Sequence, residues 1–390
     1  MRFKRFTKPK FLKHIGREQL TKLFGQFADD LAAKGVTLPP PDAEDGAYFE
    51  TLAEVVQTPD ALPENLIEAL FTIEEMANEH GQERLERAAN QIGLDLDLAE
   101  ELSHGDIAVK VWLANPGLLI EKHNEVRMSR LAGFEYHGSA AGLDRRGSFA
   151  LPDSSVLGLL EADLDAWCRM HGRGDQMAQI EVREVEGEFW FLLRHGDTYA
   201  RKGKVVSPRR REVLHYRPDK DDVAVYSPER DEIRIHAGTK GEREFYRKAL
   251  GLRLFGDDNH FSERRAYTLD PLRDDGPDAL NARGIDGIER IQLVETEIHF
   301  CGEFENIEIR KSKDIFAAAK AEGREPFPPR GNLVRAGFDV FFKGVAKPRK
   351  VQLRPPNVLK LGRYCDAVAI QEWLTACDFR ANTTPPTNDV

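Results

Sequence analysis

Apolar positions recur at helical spacing through the first third of the chain. Leu20, Leu23, Phe24, Phe27 and Leu31 make one stripe, predicting a helix from about Gly16 to a stop at Gly35. The proline run of LPPPDAEDG cannot continue it and predicts a turn. Tyr48, Leu52, Val55 and Val56 mark a second apolar face, and Leu66, Leu70, Ile73 and Met76 or Ala77 a third, with Pro63 where a first-turn proline is tolerated. QERLERAANQIG adds a helix ending at Gly93. The stretch 106–113, DIAVKVWL, alternates and is rich in β-branched residues, which predicts a strand. A helix through GLLIEKHNEV follows, then short extended pieces at FEYHG and GSFALP.

Gly-rich polar sequence from 138 to 147 is the best boundary in the chain. It separates a mainly helical domain with a basic N-terminal arm, at about 1–140, from an α+β domain at about 150–380, with 381–390 as a frayed tail. The second domain opens with a helix at 153–171, capped by Asp153 or Ser154 and striped by Val156, Leu159, Leu160, Leu164 and Trp167. AQIEVREVEGEFWFLLRHG then alternates around Glu186-Gly187 and predicts a hairpin. A basic loop at 201–211 leads into the strand REVLHY. Three stretches, 222–250, 292–321 and 334–374, each follow as strand, polar turn, second strand and helix. Their second strands align as Glu232-Ile-Arg234, Glu308-Ile-Arg310 and Gln352-Leu-Arg354. One hairpin and one helix cannot bury their apolar faces alone, so the units are expected to share a sheet with helices on one side. The last unit, with VLKLG as a short helix, is expected to be winged-helix-like. The fold class is therefore α+β, a helical N-terminal domain followed by hairpin–helix units.

The 41% hydrophobic content marks a folded rather than a disordered chain. No apolar run approaches the ~18–20 residues that cross a bilayer, and the basic start lacks the apolar segment of a secretory signal. Cys168, Cys301, Cys365 and Cys377 form no Cys-x-x-Cys pair, as expected of buried thiols in a reducing compartment. These features predict a cytoplasmic protein without membrane association.

A net charge of −10 argues against a general polyanion binder, but the charge is unevenly spread. The first 22 residues carry Arg2, Lys4, Arg5, Lys8, Lys10, Lys13, Arg17 and Lys22 against Glu18 alone. The 201–211 loop carries Arg201, Lys202, Lys204, Arg209, Arg210 and Arg211. From 330 to 363, Arg330, Arg335, Lys343, Lys347, Arg349, Lys350, Arg354, Lys360 and Arg363 face only Asp339. Such side chains on hairpins and loops reach phosphate at little steric cost. Helix starts expected at Thr239 and Asn357 would also favour anions.

Catalytic patterns are weaker. Gly238-Thr-Lys-Gly241 precedes a helix but lacks phosphate-loop spacing, so Thr239 is expected to act as a cap. No His-x3-His or His-Glu-x2-His occurs among the eleven histidines; His195 with Asp197 and His215, Asp257 and Asp258 with His260, and Glu297 with His299 are the nearest groupings. A metal nuclease would need Glu-x-Lys on a second hairpin strand, where this chain has arginine, which cannot orient water as lysine does. No Gly-x-Ser-x-Gly supports acyl transfer.

LPENLIEALFTIEEMANEHG and the following DIAVKVWL resemble segments of uncharacterised bacterial proteins, and no residue role follows from that. The leading expectation is a non-enzymatic subunit of a bacterial cytoplasmic assembly, with phage defence as its setting. It would bind nucleic acid, DNA ahead of RNA, and use the helical half for a protein partner. Its contacts would be Lys202, Lys204, Arg209, Arg210, Arg211, Lys343, Lys347, Arg349, Lys350, Arg354, Lys360 and Arg363, with no catalytic residue, cofactor or metal. The alternatives are a metal-dependent nuclease or phosphodiesterase drawing on His195, Asp197, Asp222, Glu232, Asp257 and His260, and a structural protein–protein adaptor.

Overall fold

The computed structural model describes residues 4–58, 61–96, 102–129, 131, 133–139, 145, 147–207, 209–262, 265–301, 303–361 and 367–381. Arg363, Cys365, most of the 138–147 boundary and all but the first residue of the expected tail lie outside them. The fold is α+β, and the chain divides into two compact units: 1–129 with 201–216, and 130–200 with 217–390.

The first unit holds α1 (Pro9–Leu12), α2 (Arg17–Gly25), α3 (Ala28–Ala33), α4 (Asp45–Gln57), α5 (Glu64–Met76), α6 (Glu79–Gln91), α7 (His104–Ala114) and α8 (Pro116–Ser129), with the predicted helices falling in α2 to α6 and α8. Leu20, Leu23, Leu31, Leu52, Leu66, Leu70 and Ile73 share one apolar core. The basic arm is docked: the amides of Lys4 and Arg5 each donate to Glu74 at 2.8 Å, and Phe6 is buried.

Two expectations need correction here. The single helix over 16–35 is interrupted at Phe27, which separates α2 from α3. The stretch 106–113 is helix α7 rather than a strand. Ser103 and Asp106 form a reciprocal capping box that starts a helix, and Ile107, Ala108, Val109 and Val111 are all buried. A helix buried on most sides loses its amphipathic period, and tertiary packing overrides β-branched propensity.

The second unit begins with β1 (Phe134–Gly138), α9 (Ser154–Met170), β2 (Gln179–Val185) and β3 (Glu188–Gly196). GSFALP forms no strand. The β2–β3 turn places Glu186 and Gly187 at φ 52° and 78°, the left-handed pair of a tight hairpin. The strand expected at REVLHY is β5 (Arg210–Tyr216), and the basic segment before it, expected as a loop, is strand β4 (Ala200–Ser207); the two form a separate two-stranded ribbon that groups with the first unit. Then come β6 (Asp219–Ser227), β7 (Glu232–His236), α10 (Lys240–Phe255), α11 (Pro271–Asp274), β8 (Ile288–His299), β9 (Ile307–Lys311), α12 (Ile315–Glu322), β10 (Asn332–Phe342), β11 (Arg349–Arg354), β12 (Val358–Leu361) and α13 (Ala367–Ala376).

The three hairpins join one antiparallel sheet in the order β2-β3-β6-β7-β1-β12-β11-β10-β8-β9. Residues 358–361, expected as a short helix started by Asn357, form strand β12, paired with both β11 and β1. The C-terminal segment therefore extends the sheet and is not winged-helix-like.

The helices do not share one side. Antiparallel partners place their side chains on the same face, and chain neighbours on opposite faces. Ile235 is partnered by Ala224 and Glu135, and Ala224 by Phe191. This face is covered by α9 and α10 through Leu164, Tyr246 and Leu250. Phe134 and Tyr136 flank Glu135 and therefore point the other way. Phe134 partners Leu359, Leu359 partners Leu353, and Leu353 partners Ala336. That opposite face is covered by α12 and α13, with the Trp373 ring 5.1 Å from Phe338. β1 is the strand at which burial changes sides.

Candidate functional site

Two features concentrate charge, one exposed and one buried. The exposed one is the β4–β5 ribbon. Arg201, Lys202, Lys204, Arg209, Arg210 and Arg211 are all exposed, and Glu212 is the only acid among them. Arg210 and Glu212 pair at 2.8 Å, and the Lys202 ammonium lies 5.8 Å from the Tyr216 ring centre. Val205, Val213 and Leu214 are also exposed, so the ribbon buries little of its own surface.

The buried feature lies where β3 ends, β6 begins and α10 starts. His195 and Lys220 are register partners, and Asp222 partners Leu193, so all three side chains point toward α10. Thr239 caps α10 in a capping box with Glu242, as the sequence predicts for Thr239, and the Thr239 amide donates to Glu242 at 2.6 Å. Lys220 and Arg173 both pair with Glu242. Lys220 also lies 3.3 Å from Asp222, which accepts from the Tyr246 hydroxyl at 3.0 Å and lies 3.1 Å from His195 Nε2. The other His195 nitrogen, Nδ1, lies 2.7 Å from the Gly196 carbonyl.

Burial works against charge on His195, but hydrogen bonds to Asp222, Cys168 and the Gly196 carbonyl outweigh it and raise the pKa to about 10. Burial likewise opposes charge on Glu242, but Lys220 and the Thr239 amide lower its pKa to about 2. His195, Asp222 and Glu242 present donor atoms within 4.8 Å of one another, a spacing a metal ion could use. The chemistry of the set is different: the imidazole is held protonated by acceptors at both nitrogens, and Lys220 spans the two carboxylates. The cluster is a closed ion network, two carboxylates against three cations.

The six residues of the nuclease expectation do not form one constellation. Only His195 and Asp222 meet. Asp197 accepts from the Thr198 amide, Asp257 from the Asn259 amide, and Glu232 receives both bonds of Arg380. His260 contacts buried Asp231 at 3.1 Å, where Ser139, Tyr226 and Arg145 also converge. The arginines at the ends of the second strands serve acids: Arg234 holds Glu188 bidentately, Arg310 bonds Glu308, and Arg354 lies 3.6 Å from Glu297.

The C-terminal basic residues divide between the β10–β11 turn and one face of the sheet, which Lys350, Arg354 and Lys360 share through the register of β11 and β12. Lys343 and Lys347 are exposed in the β10–β11 turn. Arg349 and Lys350 lie on β11, where Lys350 pairs with Asp339 at 2.6 Å. Lys360 on β12 lies against Gly133. The acids that meet this stretch, Asp339, Glu295 and Glu297, come from neighbouring strands.

The buried network escapes sequence reasoning because Arg173, His195, Lys220 and Glu242 are far apart in the chain. The spacing of Lys220 and Asp222 on one strand face, with Glu242 three residues after a predicted cap, was the available signal. No protein-family model matches the chain, and no curated protein matches it.

Proposed function

We propose that the protein binds the phosphate backbone of a nucleic acid through the β4–β5 ribbon. The observation that carries this reading is an exposed two-stranded element with six basic side chains and one acid, in a chain of net charge −10. A polyanion is repelled by the average surface and attracted by the ribbon, which favours one docking orientation. A two-stranded ribbon fits the major groove of B-form DNA, whereas the major groove of an RNA helix is too deep and narrow, so DNA is the preferred ligand. In this reading the protein is a non-enzymatic, cytoplasmic subunit whose acidic helical region faces a protein partner. No helix among the described residues is long and apolar enough to cross a membrane.

Fluorescence anisotropy on labelled duplex and single-stranded DNA across a salt series tests it. Affinity is expected to fall with a log–log slope of about −0.9 per phosphate contact on duplex. A variant with Arg209, Arg210 and Arg211 all changed to Glu should bind at least about tenfold more weakly at low salt while keeping its circular dichroism. Absence of binding at low salt, or unchanged binding by the variant, overturns the proposal.

A further inference from the structure

The two outer strands of the sheet are finished differently. At β2 the outer edge is occupied by its own unit: the Ile180 amide donates to Glu161 of α9 at 2.9 Å, and Asp165 of α9 takes the amides of Met177 and Ala178. The apolar Ile180 of β2 is buried. β9 has β8 on one side and no second neighbour among the described residues. Its apolar residues are outward: Ile307 is 57% and Ile309 52% exposed.

The orientation of the β9 backbone follows from its ladder. The Phe300 amide donates to the Asn306 carbonyl, and the Ser312 amide to the Val294 carbonyl. Bonding alternates along an antiparallel strand, so even-numbered residues from 306 to 312 bond inward to β8. The amides and carbonyls of Ile307, Ile309 and Lys311 then face the open side.

We propose that β9 pairs antiparallel with β9 of a second copy of this chain, about a two-fold axis at Ile309. In that register Ile309 faces its own copy and Ile307 faces Lys311, joined by about six backbone hydrogen bonds. Glu308 faces Arg310 of the second copy, on both sides of the axis. Charge selects this register. A shift of the partner by two residues one way sets Glu308 against Glu308, and the other way sets Arg310 against Arg310, both repulsive. Within one chain Glu308 already holds Arg310 at 2.5 Å, so pairing joins two such couples into a four-membered network. The Lys311 stem lies over Ile307 of the other copy, covering apolar surface that a single copy leaves wet.

Sedimentation velocity over a concentration series reads the outcome. Wild type should show a concentration-dependent monomer–dimer equilibrium. Ile309→Lys, E308R and R310E should each raise the dimer dissociation constant by about tenfold or more, through like charges placed in register. The double swap E308R/R310E within one chain should restore dimerisation. Mixing the E308R and R310E proteins should also restore it, because each then offers the charge the other needs. The mixing experiment separates register-specific pairing from a variant that has merely lost its fold. A wild type that stays monomeric at its highest soluble concentration overturns the proposal. So does a dimer that tolerates Ile309→Lys, or a mixture of single variants that remains monomeric.

Discussion

The two halves of the ten-stranded sheet use the same kinds of residue to opposite effect. On β3 and β6 the charged residues on the Ile235 face lie beneath α10, so His195 and Asp222 are buried together with Glu242 of α10. On β8 to β11 the equivalent face carries no part of the apolar core, which lies on the other side with Trp373 and Phe338. There Lys350 pairs with Asp339 while 73% exposed, and Lys311 with Glu295 while 69% exposed. Similar sequences, alternating charged and apolar residues, thus yield a buried ion network in one half and, in the other, a charged face outside the apolar core whose lysines reach water. The worth of an ion pair is set by what covers it. A buried pair is costly to assemble and more costly to leave half-made, while an exposed pair is screened.

That contrast can be broken experimentally, most severely at Asp222. Asp222→Ala leaves His195, Lys220 and the Tyr246 hydroxyl without their shared acceptor under α10. Urea denaturation should show a loss of about 3–5 kcal/mol. A loss below about 1 kcal/mol would place this network in the same class as the exposed pairs.

A second way to break the network is pH, because deprotonating His195 removes one of its three cations while the neutral imidazole still packs. The pKa of His195 is raised in the fold, so its stabilisation is complete below the unfolded value of 6.5 and is lost as pH rises through about 10. The pKa of Glu242 is lowered, so its stabilisation is complete above 4.5 and is lost as pH falls through about 2. The network is at full strength between these limits, from 4.5 to 6.5. Urea midpoints for wild type and His195→Gln should converge as pH rises from 6.5 toward 10. A constant gap would mean that the histidine contributes packing alone.

The smallest effect belongs to the exposed face. Lys350→Ala removes a pair whose lysine is largely in water and should cost no more than about 1 kcal/mol by the same denaturation assay. A cost comparable to that of Asp222→Ala would erase the distinction between the halves.

Much of this was legible residue by residue. Leu66, Leu70 and Ile73 announced a buried helical face, and Glu186-Gly187 a hairpin, because helix and hairpin periods are local properties. Local signals failed where context reversed them. DIAVKVWL looks like a strand because burial on most sides erases the helical period, and VLKL is a strand because β1 and β11 supply its hydrogen bonds. The ribbon was legible as a concentration of cations at Lys202, Lys204 and Arg209–Arg211 and, in REVLHY, as its second strand; its first strand was not, since the charges mask the alternation.

The sequence by itself determined which residues alternate, which helices are amphipathic, and where positive charge gathers. It did not determine which face of the sheet each helix covers. Alternation says that one side of a strand is buried without saying which, and the choice depends on register passed from strand to strand through β1. Only the tertiary structure decided that Lys220 and His195 would lie under a helix while Lys350 would lie in water, because burial is a property of what packs above a residue.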